Sequence, residues 1–282
     1  MTTVHTIAEL RTRLDGARAH GDQVGFVPTM GFLHAGHVSL MAAARAADDL
    51  VVTSIFVNPL QFGPGEDLDA YPRDLAGDTA AAADAGVDVL FVPSVEEMYP
   101  DGPVATTVTV AGVSEPMEGR TRPGHFAGVA TVVAKLFAIV GPCRAYFGEK
   151  DWQQLAVVRR MVSDLSLPVE VVGCPTSREP DGLARSSRNA YLTAEERAAA
   201  PVVHAALQAG RMAIDAGERH PAKVRALVAD LISAEPLADL DYAEVVDART
   251  LQPVDPLAGD LRLLAAARFG RARLIDNLGA RA

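Results

Sequence analysis

The sequence predicts an α/β fold in which a parallel β-sheet carries helices on both faces, followed by a smaller α+β domain. Over the first 176 residues, short apolar runs rich in β-branched residues alternate with longer helix-compatible runs. This alternation is typical of a parallel sheet with right-handed crossover connections. Polar motifs follow several of the apolar runs, and ligands bind beyond the carboxyl ends of the strands in such sheets. After residue 192 the alternation stops.

The elements of the first domain follow from apolar spacing and from the breaks in it. Residues 5–20 place Ile7, Leu10 and Leu14 at helical spacing. The predicted helices are 5–20, 39–47, 75–85, 127–140 and 152–165. The predicted strands are 24–27, 50–57, 87–92, 145–147 and 169–173, with a further short strand at 106–110 that we expect outside the main sheet.

The second domain is predicted from the change after residue 192. We place the boundary near residue 176, which gives domains 1–176 and 177–282. Thr193 and Glu196 have the spacing of a capping box, so a long helix is expected at 194–216, interrupted near Gly210. A second helix at 222–234 precedes strand-like runs at 242–246, 261–266 and 272–275.

Composition excludes several classes of protein. The 282 residues carry a net charge of −10, which argues against a nucleic-acid partner because such proteins need basic surface to neutralise phosphates. The longest apolar run, 129–140, is too short to cross a bilayer and contains Lys135, so no membrane partner is expected. The start of the chain lacks the pattern of a secretory signal. Cys143 and Cys174 are expected to be reduced, and a cytoplasmic location is predicted.

The motif PTMGFLHAGH, residues 28–37, is the strongest chemical signal. It joins a strand to the first turn of a helix, where free backbone N–H groups bind phosphates well. His34 and His37 lie three residues apart, so both would face a ligand as donors to its phosphate oxygens. A metal pair or two unrelated helix histidines are the alternatives. No cysteine or carboxylate lies at ligand spacing beside them, which weakens the zinc interpretation. A nucleotide site in a Rossmann-like sheet is favoured.

Three further polar motifs follow other predicted strands. Each can be interpreted either as a binding segment or as ordinary loop structure. In GEKDWQQ, Lys150 and Asp151 are candidates for phosphate, ribose or Mg²⁺ contacts, although a lone loop lysine is usually a solvated charge. In RSSRN, residues 185–189, hydroxyls and cations suit phosphate oxygens and a lid, but Ser and Asn also favour simple turns. In NPLQF, Asn58 and Gln61 offer neutral amides to a polar substrate, with turn chemistry about equally favoured.

Four other polar residues are expected to be surface or structural residues. Arg122 and His125 lie in a basic loop before a helix, and Tyr71 and Arg73 belong to YPRD.

Taken together, PTMGFLHAGH, SIFVNPLQF, YPRD, FGEKDWQQL and DGLARSSRN occur in an order and spacing that resemble the pantothenate synthetase family. The resemblance runs from about residue 24 to 193, and LLAAARFGRARLIDN near the C-terminus is similar to the family's ending. H-x-G-H alone occurs throughout a wider nucleotidyltransferase superfamily. The resemblance implies a ligase that joins pantoate to β-alanine at the expense of ATP, through a pantoyl-adenylate. It also implies Mg²⁺ bound mainly through ATP phosphates, and a homodimer.

The resemblance also implies roles for the matching residues. The catalytic set would be His34, His37, Lys150 and Arg188. The ATP-binding set would be Met30, Gly31, Phe32, Leu33, His34, Ala35, Gly36, His37, Gly148, Glu149, Lys150, Asp151, Ser177, Arg185, Ser186, Ser187 and Arg188. Gln61 and Gln154 would hold pantoate, and Gln61 would also border the β-alanine position. Residues 185–188 would form a flexible loop over the nucleotide.

Two positions depart from the family pattern, which usually has apolar residues where this chain has Ser177 and Arg185. If those positions contact the nucleotide through the main chain, the changes are tolerable. If their side chains pack on adenine, affinity or pose would change. Two other functions stay open: a nucleotidyltransferase acting on a phosphorylated alcohol, and a non-catalytic ATP-binding protein. The neutral Gln61 and Gln154 disfavour a phosphorylated acceptor.

Overall fold

The computed structural model describes residues 1–63, 68–102 and 104–282. The chain divides into two compact units, one of Met1–Glu149 with Gln154–Pro175 and one of Lys150–Gln153 with Thr176–Ala282. These units differ from the predicted domains 1–176 and 177–282 chiefly in the short segment Lys150–Gln153, which groups with the second unit.

The first unit is built on a six-stranded parallel sheet flanked by helices. Its strands are β1 (Thr2–Val4), β2 (Val24–Thr29), β3 (Leu50–Ile55), β4 (Val89–Phe91), β5 (Cys143–Gly148) and β6 (Val169–Cys174). They lie in the order β1-β4-β3-β2-β5-β6, and all their pairings are parallel. Its helices are α1 (Ile7–His20), α2 (Ala35–Ala47), α3 (Leu75–Asp84), α4 (Val95–Met98), α5 (Glu118–Thr121), α6 (His125–Val140) and α7 (Trp152–Asp164), the last beginning in the second unit.

Strand order sets the position of the site in this unit. The chain moves from β2 to β3 on one side and later returns to β5 on the other side of β2. Strand order therefore reverses at β2, and ligands of open α/β sheets bind in the crevice beyond the carboxyl ends of strands at such a point. The segments that follow β2 and β5 are the two that flank this crevice.

Burial explains why the sheet forms where it does. Phe26 and Val27 on β2 and Val51 and Val52 on β3 are fully buried, as expected for strands covered on both faces. Helix α6 has buried residues on most of its surface. The predicted continuous apolar runs are therefore buried strands of the sheet.

The second unit has three complete α-helices and a three-stranded antiparallel sheet. The helices are α8 (Ala194–Ala199), α9 (Val202–Asp215) and α10 (Pro221–Ser233). The strands are β7 (Asp239–Asp247), β8 (Asp260–Phe269) and β9 (Ala272–Arg281), in the order β7-β8-β9. Buried residues of α9, α10 and β8, among them Leu207, Val228 and Leu263, share one apolar core.

The predicted interruption of the long helix near Gly210 was wrong. The helix breaks at Ala200 and Pro201 instead, because proline has no N–H to continue the ladder, and α8 begins with the predicted capping box of Thr193 and Glu196. Gly210 lies inside α9, where a Cβ would come within 2.6 Å of Leu263 Cδ2. This glycine therefore lets α9 pack closely on Leu263 of β8 and Val228 of α10.

The predicted strand at 106–110 was also wrong, since those residues form no strand. The N–H of Val108 donates to Thr131 Oγ1 at 2.9 Å instead of to a neighbouring strand. Conversely, β1 was not predicted, because three residues are too few to show alternation, yet it pairs with β4. Within the described residues no helix is long and apolar enough to cross a membrane, and both cysteines are free thiols.

Candidate active site

In the first unit, the polar sequence motifs follow strands of the parallel sheet, as predicted. The H-x-G-H motif follows β2, NPLQF follows β3, and GEKD begins at the last residue of β5. Because these strands are parallel neighbours, their carboxyl ends lie along one edge of the sheet. The two segments beside the reversal point carry the histidines and Gly148–Glu149. The first unit therefore brings the histidine motif, Gln61 and the end of β5 to one edge.

The turn between β2 and α2 is held by a buried carboxylate. Gly31 and Phe32 both have positive φ angles, of 82° and 51°, which is a costly conformation for phenylalanine. Asp78, on α3 and only 4% exposed, accepts hydrogen bonds from Phe32 N at 2.8 Å and Leu33 N at 2.6 Å. A Cβ at Gly31 would lie 2.8 Å from Asp78 Oδ2. The close approach of Asp78 therefore requires glycine and compensates the strained turn.

The two histidines are oriented by the start of α2. His34 is the N-cap residue, and its Nδ1 accepts from Gly36 N at 3.1 Å. His37 Nδ1 accepts from His34 N at 3.3 Å, which makes a reciprocal capping box. A ring nitrogen that accepts a backbone N–H carries no proton, so each neutral ring is protonated at Nε2. The ring centroids are 4.1 Å apart. Both imidazoles thus present N–H donors from one helix start.

A chain of buried hydrogen bonds sets the amide of Gln61. Tyr99 Oη donates to Asn58 Oδ1 at 2.8 Å, and Asn58 Nδ2 donates to Gln61 Oε1 at 3.2 Å. Gln61 Nε2 in turn donates to Met30 Sδ at 3.1 Å. Burial raises the pKa of Tyr99 to about 12, so its hydroxyl stays a donor. The amide nitrogen of Gln61 is therefore the group turned toward Met30 and the histidine turn.

Arg122 and His125, expected at the surface, hold the main chain of Gln61. His125 Nδ1 donates to Gln61 O at 2.9 Å, and Arg122 donates to the same oxygen at 3.4 Å and to His125 Nε2 at 3.0 Å. Nearby, a Cβ at Gly128 would lie 2.1 Å from Leu60 O, so α6 approaches this segment as closely as glycine allows. Arg122 and His125 are thus half-buried residues bonded to the segment that carries Gln61, and not the surface residues that were expected.

The remaining predicted residues of the first unit lie at its carboxyl edge or on α7. Gly148 ends β5, and a Cβ there would meet nothing within 4 Å, which leaves room for a ligand. Gln154 is half-buried on α7. Its neighbour Gln153 is 3% exposed and belongs to the second unit.

Lys150 and Asp151 lie in the second unit, in a single 3-10 turn. Lys150 Nζ donates to Asp151 Oδ1 at 3.2 Å, and the lysine side chain is 18% exposed. The carbonyl of Lys150 accepts from Asn277 Nδ2 at 2.7 Å. Trp152 Nε1 donates to Ala248 O at 2.8 Å. The lysine is thus a partly buried cation paired with Asp151, on a turn whose main chain is bonded to β9.

Ser177 and Arg185, the two departures from the family pattern, are backbone neighbours. Arg185 N donates to Ser177 O at 2.9 Å, beside the bridge between Arg178 and Ala184, so residues 177–185 form a tight hairpin. The Arg185 side chain pairs with Glu179, with Nε 3.2 Å from Oε1. The added positive charge of Arg185 is therefore balanced within the hairpin.

RSSRN begins a short 3-10 helix, Ser187–Tyr191. Ser186 caps it, since its Oγ accepts from Arg188 N at 3.3 Å, and Asn189 Nδ2 donates to Ala184 O at 3.1 Å. The turn interpretation of this motif is thus correct in structure. The turn structure does not exclude a phosphate-binding role, because the cap also fixes the position of the Arg188 backbone.

Sequence reasoning missed Asp78 and Tyr99, which position the histidine turn and Gln61. Neither belongs to a recognisable motif, and the Ala-rich helix that carries Asp78 also contains Asp84, so composition does not single Asp78 out. Among the described residues, no group of three or more His, Cys, Asp or Glu side chains is arranged to hold a metal ion.

Comparison with known proteins gives one consistent result. A family model for pantoate-beta-alanine ligase matches residues 2–279. The chain is 55% identical over 278 residues to the pantothenate synthetase of Heliobacterium modesticaldum, covering 99% of each. It is also similar to the solved structure of the Thermus thermophilus pantothenate synthetase, with a TM-score of 0.94 and 54% identity over 100% of both chains.

A third similarity is to a ligand complex. The Francisella tularensis pantoate-beta-alanine ligase, solved with Beta-gamma ATP and Beta-alanine, has a TM-score of 0.80 and 34% identity, over 99% of this chain and 97% of its own. The predicted resemblance is thus confirmed over the full length, and the chain belongs to the pantoate–β-alanine ligase family.

Proposed function

We propose that this chain condenses pantoate with β-alanine at the expense of ATP, through a pantoyl-adenylate, and that its predicted site residues carry out this reaction. The observation that carries the site assignment is the pair of imidazoles at the start of α2, both fixed as Nε2–H donors beside the reversal point of the sheet. Family membership supports the reaction, and this geometry supports the residues.

The first half-reaction must bring a carboxylate to the α-phosphate of a polyanion. Two unit charges 4 Å apart repel by about 4 kcal/mol at an effective dielectric near 20, and the other phosphates add to this. The Nε2–H groups of His34 and His37 and the N-terminal dipole of α2 stabilise the phosphate charge. Lys150 and Arg188 add full positive charges, which offset the charge that develops on the pyrophosphate leaving group.

In this proposal, the backbone before His34 shapes the turn, and the residues from His34 onward contact the phosphates. The N–H groups of Phe32 and Leu33 donate to Asp78. We therefore assign phosphate contacts to the histidine side chains and to the start of α2, while Gly31, Phe32 and Leu33 shape the turn. The other ATP contacts are assigned to Gly148–Asp151, Ser177 and residues 185–188.

Pantoate is held by neutral amides in this proposal. Gln61 Nε2–H, oriented by Asn58, donates to the pantoate carboxylate or hydroxyl, and Gln154 on α7 supplies a second amide. Neutral amides orient the carboxylate without neutralising it, so it stays nucleophilic. One carboxylate oxygen attacks the α-phosphorus, pyrophosphate leaves, and pantoyl-adenylate remains.

The second half-reaction forms the amide bond. The neutral amine of β-alanine, bound beside Gln61, attacks the activated carbonyl, AMP leaves with the bridging oxygen, and the amine loses a proton. The protein contributes mainly by positioning the two reactants and excluding water from the adenylate.

Magnesium is proposed to enter with ATP. Its preferred ligands are oxygens, and the phosphates provide them. Asp151, a carboxylate of the predicted nucleotide set, is paired with Lys150, so it fits a supporting role more than that of a resident ligand. When bound, Mg²⁺ would add positive charge at the phosphates.

Pantoate-dependent exchange of labelled pyrophosphate into ATP, without β-alanine, tests the proposed function. We expect exchange only when pantoate is present, followed by AMP release when β-alanine is added. A nucleotidyltransferase would require a phosphorylated acceptor in place of pantoate, and a binding protein would show no exchange. Either result would overturn the proposal.

Three expectations complete the proposal. A homodimer is inferred from the resemblance to the family, and a cytoplasmic location from the expected reduced state of the two cysteines. No nucleic-acid partner is expected from the acidic composition, and no membrane partner from apolar runs too short to cross a bilayer. Analytical ultracentrifugation tests the first, with a mass of two chains as the expected result.

A further inference from the structure

Two adjacent polar residues near the end of the chain, Asp276 and Asn277 on β9, are buried in the second unit. Asp276 is 5% exposed and Asn277 2% exposed. Successive side chains of a strand point to opposite faces of the sheet, so the two contact different elements. Their partners across the ladder are the apolar residues Ala265 and Leu264. The proposed function uses neither of these two polar groups.

Asn277 contacts the segment that carries Lys150. Its Nδ2 donates to Lys150 O at 2.7 Å, and its Oδ1 accepts from Arg262 Nε at 2.6 Å. The Arg262 guanidinium lies 3.5 Å from the centre of the Trp152 ring. One amide on β9 and one arginine on β8 thus hold both the main chain of Lys150 and the indole two residues later.

Asp276 contacts the hairpin at residues 177–185. Arg178 donates to its two oxygens at 2.6 and 2.9 Å and also donates to Gly182 O at 3.0 Å. Gly182 has a φ of 93°, and a Cβ there would lie 2.6 Å from His204 Cδ2. One arginine therefore ties the tip of the hairpin to Asp276 on β9.

The charge of Asp276 is retained despite burial. Burial raises the pKa of its carboxyl, but the nearby His204 imidazole, whose Nδ1 lies 3.5 Å from Oδ2, and the hydrogen bonds from Arg178 outweigh this, and the net pKa is below its ordinary value. Replacing a buried ion pair with apolar residues is often neutral or stabilising, so such a pair is weak evidence for a purely stabilising role. The bidentate geometry suits a positioning role better.

We propose that Asp276 and Asn277 are positioning residues for adenylate formation, with Asn277 placing Lys150 and Asp276 placing the hairpin that leads into residues 185–188. The inference rests on the proposed function, because it takes Lys150 and Arg188 to act on the triphosphate. These two residues act through others and touch no substrate. This proposal gives a positioning role to the last two residues of the LIDN sequence, residues 274–277.

Asn277→Asp is the sharpest variant, because it keeps an oxygen acceptor for Arg262 and removes the N–H donor to Lys150 O. A displacement of about 1 Å at a reacting group costs up to about 10²-fold in rate. We expect single-turnover adenylation to fall about 10- to 100-fold. The reaction of preformed pantoyl-adenylate with β-alanine should change less than about threefold, because no triphosphate takes part in it.

Asp276→Asn tests the second contact in the same way and should raise the KM for ATP. Arg178→Lys keeps the positive charge but cannot make the bidentate contact with Asp276, so it should behave like D276N. Asp241→Asn is the matched control: Asp241 pairs with Arg273 across the same sheet, with contacts of 2.9 and 2.6 Å, and lies outside the proposed site. We expect D241N to leave both half-reactions unchanged. Thermal unfolding of every variant shows whether it is folded.

The outcomes separate the inference from the proposed function. If Lys150→Ala leaves adenylation unchanged, the assigned role of Lys150 is wrong and the inference is overturned with it. If K150A abolishes adenylation while folded N277D and D276N retain it, only the inference is overturned. Equal losses in both half-reactions, or the same loss in D241N, would show a merely structural role and would also overturn it.

Discussion

The histidine turn of the first unit and the Lys150 turn and hairpin of the second unit are held in place by different means. In the first unit, residues 30–37 are oriented by the start of α2, where His34 and His37 satisfy backbone N–H groups two and three residues away, and by one carboxylate, Asp78. In the second unit, Lys150 and the hairpin at 177–185 are held by side chains of β9, distant in sequence.

This difference separates a site built from local geometry from one built by tertiary contacts. Caps and tight turns form wherever the right residues occur at the right spacing, so the orientation of the two histidines is determined largely by their own sequence, while Asp78 supports the turn before them. The hairpin has local hydrogen bonds of its own, such as Leu183 N to Asp181 Oδ1 at 3.2 Å, but the contacts that hold it and the Lys150 turn to β9 join residues far apart in sequence. Their positions therefore depend on the second unit being folded, and the predictions below test this contrast.

Replacing His37 with alanine should give the largest effect. It removes one preorganised donor, and such a loss lowers the rate of the step it serves by about 10²–10³-fold. Single-turnover formation of pantoyl-adenylate measures the effect. His20→Ala, at the exposed end of α1, is the matched control and should leave the rate unchanged. An unchanged adenylation rate in H37A would remove His37 from the mechanism.

Asp78→Ala should have the next largest effect. It leaves the N–H groups of Phe32 and Leu33 without their acceptor, at a cost of about 1–3 kcal/mol each in the free energy of unfolding. Chemical denaturation measures this loss. Asp78→Asn keeps one acceptor oxygen and should lose less. Adenylation should fall in the same order, alanine below asparagine below the parent. If D78A kept both stability and adenylation, the turn would not depend on this carboxylate.

Tyr99→Phe should have a smaller effect, limited to the pantoate side. It removes the hydroxyl that donates to Asn58 and so frees the amide chain that orients Gln61. The loss of one neutral hydrogen bond is worth about 1 kcal/mol, or about fivefold in an equilibrium constant. We expect the KM for pantoate to rise by about that factor while the KM for ATP stays the same. A rise in the KM for ATP alone would contradict this assignment of the network.

Arg185→Leu should have the smallest effect. The side chain is 31% exposed and pairs with Glu179, and partly exposed ion pairs contribute about 0–1 kcal/mol. Restoring the apolar residue typical of the family should therefore change the KM for ATP less than about threefold. A larger change would mean that the arginine side chain itself contacts the nucleotide.

Much of the fold follows from the sequence, because the strands of the first unit are continuous apolar runs and most helices have clear ends. The errors have local causes. Residues 106–110 have strand-like composition, but Val108 finds its acceptor on Thr131 instead of on a strand. The helix break falls at Pro201, where the missing N–H outweighs the low helix propensity of Gly210.

The candidate site likewise contains parts that sequence motifs predict and parts that they do not. The histidine turn, Gln61 and the strand ends follow from motifs at strand termini. Asp78 lies 46 residues from Phe32, and Asn277 lies 127 residues from Lys150. Side-chain contacts over such separations have no periodicity or turn chemistry to mark them. Only the three-dimensional structure brings them together.

The transfer of an oxygen label from pantoate to AMP tests the central claim most directly. With pantoate labelled by ¹⁸O in its carboxylate, together with ATP and β-alanine, the proposed route carries one carboxylate oxygen into the AMP phosphate. Mass spectrometry of AMP should therefore show one ¹⁸O atom per molecule formed. AMP without label, released at the same rate as pantothenate, would contradict an adenylate intermediate and the site assignments built on it.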